Sequence, residues 1–366
     1  MYYLNLILIT FLFSSLGNAH AVPLKGCMTS GCHTEFKEKH LVTHGPIKTG
    51  ECMVCHFESN KDRPANPANK EQAHQKLTKM TPPNVVAICT TCHDEIKEAL
   101  EDPKAPHHKI GEKGCTFCHN PHRSDKFKLF REDVFTVRCL SCHEKIRTNI
   151  EGATTKHGAV SNNESCTNCH NFHAQTEFGK LLKVKKEELC IKCHSKEQKS
   201  DDGRTIQTIG KFVSTLPVVH KPVKAKCYNC HNPHGGKELH LLDLKIIPDF
   251  YSTFKTENFA LCMDCHEATL VTSVKTDTDT DFRDGKANLH NAHIIKTGNM
   301  GLNCLVCHNV HASTQLKQIR ESFILNKEVI PLKYVKTANG GTCTTSCHSS
   351  SITYDREKAE LNAPKK

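Results

Sequence analysis

Hydrophobic residues in this chain occur in short, scattered groups, with one exception at the amino terminus. There, an apolar run extends from Leu4 to Leu16 and is followed by Ala19-His20-Ala21. This pattern predicts a signal peptide over residues 1–21, cut after Ala21 and too short to span a membrane as a stable helix. Because no later apolar segment approaches the length of a membrane span, we expect an exported mature chain without a transmembrane helix.

The rest of the pattern predicts a mostly α and irregular fold of short helices and coil, with little β-structure. Only 37% of the residues are hydrophobic and none is tryptophan. Segments such as "DEIKEAL" (94–100) and "EKIRTNI" (144–150) predict helices, because acidic residues favour the positive end of the helix dipole. Polar stretches at 61–70, 199–210 and 272–286 predict surface loops. A peptide core of ordinary size cannot be built from this composition.

The cysteines follow one rule over the whole chain. All 22 fall into eleven pairs, and a histidine follows the second cysteine of every pair. Nine pairs have two intervening residues: Cys52/Cys55, Cys89/Cys92, Cys115/Cys118, Cys139/Cys142, Cys166/Cys169, Cys190/Cys193, Cys227/Cys230, Cys262/Cys265 and Cys304/Cys307. The pairs Cys27/Cys32 and Cys343/Cys347 have four and three. The motif histidines are His33, His56, His93, His119, His143, His170, His194, His231, His266, His308 and His348.

A Cys-x-x-Cys-His run is the attachment site of a c-type haem, in which the thiols bond the porphyrin and the histidine binds iron. A structural zinc site uses similar spacings, but four ligands per ion give no reason for a histidine after every pair. A disulfide framework does not require these histidines either. The sequence therefore predicts about eleven covalently attached haems c, around which the short helices and coil wrap, with folding coupled to cofactor insertion.

Two features leave alternatives open. "LKGC" before Cys27 resembles a poor lipobox, and a lipidated Cys27 would cost the first haem a thioether bond. The formal charge of +10 would suit an anionic partner, but haem propionates can offset nearby lysine and arginine. The charge therefore gives no reason to predict nucleic-acid binding.

Two kinds of motif alternate along the chain. A turn kind carries an extra histidine in "CHNPH" (118–122), "CHNFH" (169–173), "CHNPH" (230–234) and "CHNVH" (307–311). A helix kind opens a helix at "CHDEIKEAL", "CHEKIRTNI", "CHSKEQK" and "CHEATLV". Together they form four doubled units, each introduced by a lone upstream histidine, after a degraded unit from His44 to His93. We therefore expect a three-haem region over 22–105 and four doubled units with eight haems over 106–366.

Fourteen histidines remain for eleven vacant iron positions once the motif histidines and His20 are set aside. We predict as distal ligands His40, His44, His74, His108 of the pair His107/His108, His122, His157, His173, His220, His234, His293 of the pair His290/His293, and His311. His240 and one member of each close pair remain as spares. Because the mature chain has only five methionines, we expect mostly bis-histidine haems of low potential.

His122 cannot bind the haem held by His119, because three residues of chain cannot pass round the macrocycle. We therefore expect each turn histidine to bind the second haem of its own unit, and each upstream lone histidine to bind the first. Shared ligands of this kind would pack the haems closely enough for electrons to hop between them.

The four "CHNxH" units, covering about 107–348, resemble the doubled-motif multihaem cytochromes of metal-reducing and sulfur-cycling bacteria. The resemblance extends to the periplasmic decahaem cytochromes of porin-cytochrome conduits, although this chain has eleven motifs and a wide-spaced first one. It implies a periplasmic, outer-membrane-associated or cell-surface electron carrier in anaerobic or extracellular respiration. Redox proteins, an outer-membrane porin and an outer cytochrome are the implied partners.

Two other functions stay open at this point. A multihaem reductase of a nitrogen or sulfur oxyanion would need an iron with an open position, whereas every motif here ends in histidine. A subunit of an extracellular cytochrome filament would use a spare histidine to bind a haem of the next subunit. Because histidines exceed the vacant positions, we expect an electron carrier rather than an enzyme.

Overall fold

The computed structural model describes residues 27–28, 33–56, 82–101, 114–162, 164–173, 177–200, 203–295 and 301–359. The predicted signal peptide, Cys32, His74, His107 and His108 lie outside these ranges. The chain divides into two compact units, one formed by Met1–Cys92 and Lys109–Glu132, the other by His93–His108 and Asp133–Lys366. The division into a three-haem and an eight-haem region stays a prediction.

Short helices dominate the described residues, as the composition predicts. The α-helices are Gly45–Thr49, Pro82–Thr90, Asp94–Glu101, Glu144–Glu151, Gly158–Ser161, Lys186–His194, Ile209–Thr215, Lys221–Ala225, Ala260–Met263, Thr269–Thr272, Leu289–Ile294 and Cys304–Cys307. Single 3-10 turns occur at Thr34–Lys37, Cys52–Val54, Cys115–Phe117, Ser165–Asn168, Cys227–Asn229 and Thr256–Phe259, and a π-helical turn at Val134–Cys139. Four of these 3-10 turns therefore coincide with the loop between two motif cysteines.

The prediction that helix-kind motifs open a helix is right for two motifs and wrong for one, and at the fourth a single-turn helix, Thr269–Thr272, begins three residues after His266. Asp94–Glu101 and Glu144–Glu151 begin directly after His93 and His143. At the Cys190/Cys193 motif the helix Lys186–His194 ends instead, and the chain continues into the strand Gln198–Lys199. "SKEQKSDDG" (195–203) lacks apolar residues at helical spacing, so a helix there would have no face to bury.

Two-residue antiparallel ladders connect segments of the chain, some close in sequence and others far apart. They pair Val42–Thr43 with Arg123–Ser124, Gln198–Lys199 with Thr205–Ile206, Val218–Val219 with Ala312–Ser313, Tyr251–Ser252 with Gly301–Leu302, and Arg283–Asp284 with Ala287–Asn288. Thr155 and Gly236 form an isolated bridge of the same kind. Three of these contacts join the segment before a lone histidine to the segment after a turn histidine of the next unit.

The carboxyl-terminal region departs from the prediction of little β-structure. Four antiparallel strands form a sheet there in chain order: β1 (Ser322–Leu325), β2 (Glu328–Lys336), β3 (Gly340–Thr345) and β4 (Ile352–Asp355). Its buried side packs Phe323 and Leu332 against Val306, with Phe250 and Ile319 beside them. Alternation of exposed and buried residues along β2 accounts for the sheet, because period two places one set of side chains on this cluster.

Across the described residues, no helix is both long and apolar enough to cross a membrane.

Candidate haem sites

The turn after each "CHNxH" motif is built by its asparagine. The side-chain oxygens of Asn120, Asn171, Asn232 and Asn309 each accept a hydrogen bond from the backbone N–H of the extra histidine, at 3.1 to 3.2 Å. This Asx turn reverses the chain directly after the motif histidine. The asparagine common to all four motifs therefore fixes where the extra histidine lies, a role that the sequence interpretation missed.

A second turn orients the motif histidine itself. The Nδ1 atoms of His119, His170, His231 and His308 lie 2.8 to 3.0 Å from the carbonyl oxygens of Lys128, Lys180, His240 and Lys317. Each acceptor residue and the residue after it have left-handed φ angles, between 50° and 61°. This backbone conformation, uncommon outside glycine, turns the carbonyl toward the ring. His240, predicted as a spare ligand, contributes its backbone here.

Donation from Nδ1 to a carbonyl fixes the tautomer that leaves Nε2 without a proton. Metal-binding histidines in proteins are commonly oriented in this manner, because the second hydrogen bond holds the ring plane and raises the basicity of the ligand nitrogen. The four rings are therefore prepared to bind iron through Nε2.

An apolar residue eleven or twelve positions after each of these histidines anchors the turn. His119, His170, His231 and His308 form β-bridges with Phe130, Leu182, Leu242 and Ile319. The first three apolar side chains are buried. The recurrence of an apolar residue at this spacing is visible in the sequence and could have predicted the anchor.

The lone upstream histidines are held in a comparable way, but by the next unit. Nδ1 of His157 lies 3.0 Å from the carbonyl oxygen of Pro233, and Nδ1 of His220 lies 3.1 Å from that of Val310. Pro233 and Val310 each directly precede a turn histidine. The backbone N–H of His220 also donates to the carbonyl of His311 at 3.1 Å. A lone histidine and the following unit's turn histidine thus lie side by side.

Within the described residues, seven pairs of histidine rings approach with centroids 6.0 to 6.4 Å apart. They are His56 with His122, His157 with His194, His170 with His234, His220 with His266, His231 with His311, His290 with His308, and His293 with His348. Every pair joins one motif histidine to one histidine outside the motifs. The ring planes are within 28° of parallel in six pairs, whereas those of His293 and His348 cross at 87°.

This spacing fits an iron between each pair. Two metal–nitrogen bonds of about 2.0 Å and two ring radii of about 1.1 Å place the centroids about 6.2 Å apart. Direct stacking would bring parallel rings closer than that. The cysteine pair beside each motif histidine supplies the covalent attachment that a haem c needs. The residues therefore fit bis-histidine haems at these seven motifs.

Burial keeps these ligand rings neutral. It lowers the pKa of His290 and of His311 to about 4, and it also lowers the pKa values of His157, His170 and His234. The neutral imidazole is the form that binds a metal.

The expected pairing within each unit is wrong in the inner units, although in the last unit the upstream His290 does lie beside the first motif histidine, His308. The turn histidine His234 lies beside His170 of the preceding unit, and not beside His266 of its own. The lone histidine His157 lies beside His194, the second motif histidine of its unit, and not beside the first, His170. The reason is that the segment at His157 contacts the turn of the next unit, which carries His234. His157 and His234 therefore lie side by side, and they face the second and the first motif histidine of the same unit.

His290 is a ligand candidate that sequence reasoning left as a spare. The pair His290/His293 was expected to contribute one ligand, yet His290 faces His308 and His293 faces His348. Both lie on the helix Leu289–Ile294. His290 takes the place beside His308 that a turn histidine of the following unit fills in the inner units. The i, i+3 spacing of the two histidines was the available signal.

Consecutive motifs meet through their cysteines. The first cysteines hydrogen-bond in the pairs Cys89–Cys115, Cys139–Cys166, Cys190–Cys227 and Cys262–Cys304. As a result, the pKa values of Cys115 and Cys227 fall to about 7 and that of Cys166 to about 6. In a haem-loaded chain these sulfurs would be thioethers, so the contacts mark neighbouring attachment points.

The other consecutive motifs meet mainly through the second cysteine of each pair. Burial and then the neighbouring thiol raise the pKa values of Cys55 beside Cys92, Cys169 beside Cys193, Cys230 beside Cys265 and Cys307 beside Cys343. Cys52 is similarly affected by burial and by Cys27. Motifs adjacent in sequence are therefore adjacent in space, from Cys27 to Cys115 in the first compact unit and from Cys139 to Cys347 in the second compact unit.

Cys118 and Cys142 lie in different compact units, the first and the second. The N–H of Cys118 donates to the carbonyl of Cys115 at 3.2 Å, and the hydroxyl of Ser141 lies 3.9 Å from Sγ of the exposed Cys142. The haem attachment at these two cysteines stays a prediction from the motif alone.

Comparison with known proteins agrees with this arrangement. The sequence profile of the doubled CXXCH motif matches residues 44–98, 107–148, 157–199 and 220–270, more than half of the chain. The chain belongs to the doubled CXXCH family. As a member, it is a multihaem c-type cytochrome. The matched segments coincide with four of the five units, and the unit from His290 to His348 lies beyond them.

Among curated proteins, the chain is similar to a multiheme cytochrome MtrA of Shewanella baltica strain OS185. The two are 27% identical over 112 residues, which cover 31% of this chain and 32% of the relative. The chain thus aligns with about a third of the length of this relative.

Several further predicted sites stay predictions. They are the haem at Cys27/Cys32/His33, the distal ligands His40, His44 and His173, and the partners of His93, His119 and His143. His40 is oriented like a ligand, because its Nδ1 lies 3.1 Å from a carboxylate oxygen of Asp125. The predicted ligands His74 and His108 lie outside the described residues.

Proposed function

We propose that this protein is an electron carrier with a haem c at each of its eleven motifs. The observation that carries the proposal is the set of seven ring pairs, each joining a motif histidine to a histidine from elsewhere. A haem held between two histidines has no open coordination position, so its chemistry is one-electron exchange rather than substrate binding.

The chain's own residues provide three things for this exchange. Cysteine pairs in contact set the attachment points side by side. Histidines donating Nδ1 hydrogen bonds to carbonyls hold their Nε2 atoms in position, so that little rearrangement accompanies a change of iron charge. The two-residue ladders fix one unit against the next. A rigid series of closely spaced sites is what electron hopping requires.

We further propose an exported protein that serves anaerobic or extracellular respiration at the outer membrane, with a porin and an outer cytochrome as partners. The similarity to MtrA and the predicted signal peptide support this setting. Fractionation of the native cells tests it, because the proposal requires the protein in the periplasm or with the outer membrane. Recovery from the cytoplasm would contradict it.

The decisive experiment on the purified holoprotein combines two measurements. Intact mass should give eleven haems per chain, and near-infrared magnetic circular dichroism should show all of the oxidised irons as bis-histidine and low-spin. A high-spin iron together with steady turnover of nitrite, hydroxylamine or tetrathionate by the reduced protein would identify a reductase and overturn the carrier.

A further inference from the structure

The haem site at Cys343/Cys347 differs from the other described sites in the orientation of its two imidazoles. The rings of His293 and His348 have the same centroid separation as the other pairs, 6.2 Å, but their planes cross at 87°. The six remaining pairs are between 8° and 28° from parallel. The distance fits an iron between the rings, and with an iron there a rotation of one ring about the axis that joins them would give the crossed planes.

The plane of His293 is determined by contacts found at this site. Its Nδ1 lies 2.7 Å from the carbonyl oxygen of Leu289, four residues earlier in the same helix. On one side its ring packs on Phe282, with centroids 5.7 Å apart and planes 26° from parallel. The lone histidines His157 and His220 of the inner units bond instead to a carbonyl of the following unit.

Phe282 is itself tightly held. It meets Tyr354 edge-on at 5.1 Å and His290 edge-on at 5.2 Å. Its backbone N–H donates to Oγ1 of Thr280, and its carbonyl accepts from the N–H of Leu289. The Phe282 ring therefore contacts the distal histidines of the last two motifs at once, and it cannot turn without disturbing Tyr354.

The motif histidine is set by different surroundings. His348 follows strand β3, whose Cys343 pairs with Tyr334 of β2. Cys347 and His348 are exposed. The three-residue spacing between Cys343 and Cys347 places this motif at the end of a strand, whereas the turn motifs use a single helical turn. Nothing in this arrangement brings His348 parallel to His293.

Resting on the proposed haem at this motif, we infer that the last haem is low-spin with crossed axial imidazoles, and that Phe282 is the positioning residue that keeps them crossed. Parallel imidazoles donate to the same iron dπ orbital and split the dπ pair. Crossed imidazoles donate equally to both dπ orbitals, which therefore stay nearly degenerate. The first arrangement gives a rhombic electron paramagnetic resonance (EPR) spectrum, the second a single feature at a large g value.

The test is EPR of the fully oxidised holoprotein at low temperature, compared with Cys343→Ala/Cys347→Ala and Phe282→Leu. The wild type should show a large-g feature. The double variant should lose the mass of one haem, and the large-g feature should lose the integrated intensity of about one iron per chain. Phe282→Leu should retain the haem while the feature moves toward the rhombic region. Phe254→Leu is the matched control, because Phe254 packs on Phe259, and it should leave the spectrum unchanged.

The outcomes separate this inference from the proposed function. If the double variant loses a haem but keeps the whole large-g feature, the crossed geometry is wrong while the carrier stands. If Phe282→Leu and Phe254→Leu give the same spectrum as the wild type, Phe282 is not the positioning residue. If the wild-type mass lacks a haem that the double variant also lacks, the proposed haem at Cys343/Cys347 is itself absent.

Discussion

In the inner unit from His157 to His194, one of the two motif histidines faces a histidine of the next unit, whereas in the last unit both face a single local helix. His170 pairs with His234 across the boundary, while His308 and His348 pair with His290 and His293. The inner arrangement uses the turn of the following unit, whereas in the last unit the helix Leu289–Ile294 supplies both facing histidines.

The difference also changes what holds the ligands. An inner distal histidine is oriented by a backbone carbonyl of another unit, so ligand geometry and unit stacking depend on each other. In the last unit the orienting groups are Thr280, Leu289 and Phe282, all close in sequence. We therefore expect inner sites to respond to changes in the next unit and the last two sites to respond only to local changes.

The largest effect should come from His234→Ala, because it removes a proposed iron ligand. The haem at Cys166/Cys169 should lose its distal ligand and give one high-spin iron per chain by magnetic circular dichroism. In a Cys166→Ala/Cys169→Ala background, the same substitution should add no high-spin iron. If it still does, His234 serves another haem and sharing between units is wrong.

His290→Ala is the counterpart in the last unit. It should give one high-spin iron that disappears in a Cys304→Ala/Cys307→Ala background. Unchanged low-spin spectra after His290→Ala would show that another histidine serves this motif, and the contrast between inner and last units would fail.

Leu242→Ala should have the next largest effect, on stability. Leu242 is 6% exposed and anchors the turn that orients His231, so truncation should cost about 2 to 5 kcal/mol of unfolding free energy. Leu244→Ala is the matched control, because Leu244 is 37% exposed and should change stability little. Chemical denaturation followed at the Soret band measures both, and equal losses would refute the anchor.

Asn309→Ala should have a smaller effect, about 1 kcal/mol, because one Asx hydrogen bond is lost. Asn232→Ala should cost slightly more, because its amide also donates to the carboxylate of Asp243 at 3.2 to 3.3 Å. Thermal melts of the two variants compare an inner turn with the last one directly. A markedly larger loss for Asn232 would mean that the inner turn also carries the contact between units.

Thr280→Val should have the smallest effect. It removes the hydroxyl 3.0 Å from Nδ1 of His290, a partner that mutation can delete because it is a side chain. A less basic ligand favours the reduced iron, so a few-fold increase in the reduced fraction at fixed potential is expected for one haem. A redox titration measures it, with Thr278→Val as control. A decrease would contradict the proposed hydrogen bond.

The sequence by itself determined the chemistry, because haem attachment depends on residues adjacent in the chain. "CTFCHNPH" specifies two thiols and an iron ligand whatever the fold, and alternation of two motif kinds shows the doubled units. It also determined the scarcity of peptide core and the prevalence of short helices. It also contains the signals for the Asx turn at Asn120 and the anchor at Phe130, namely the asparagine common to the "CHNxH" motifs and the apolar residue that recurs eleven or twelve positions after the motif histidine.

Only the tertiary structure decided which histidine lies beside which motif histidine. His157 and His234 lie 77 positions apart in the sequence, and their neighbourhood depends on the bridge between Thr155 and Gly236. Likewise, that His290 lies beside His308 follows from the helix Leu289–Ile294, which places it there. The physical reason is that distal ligation is a long-range contact, set by backbone pairing between units, whereas the motif histidine is placed by five consecutive residues.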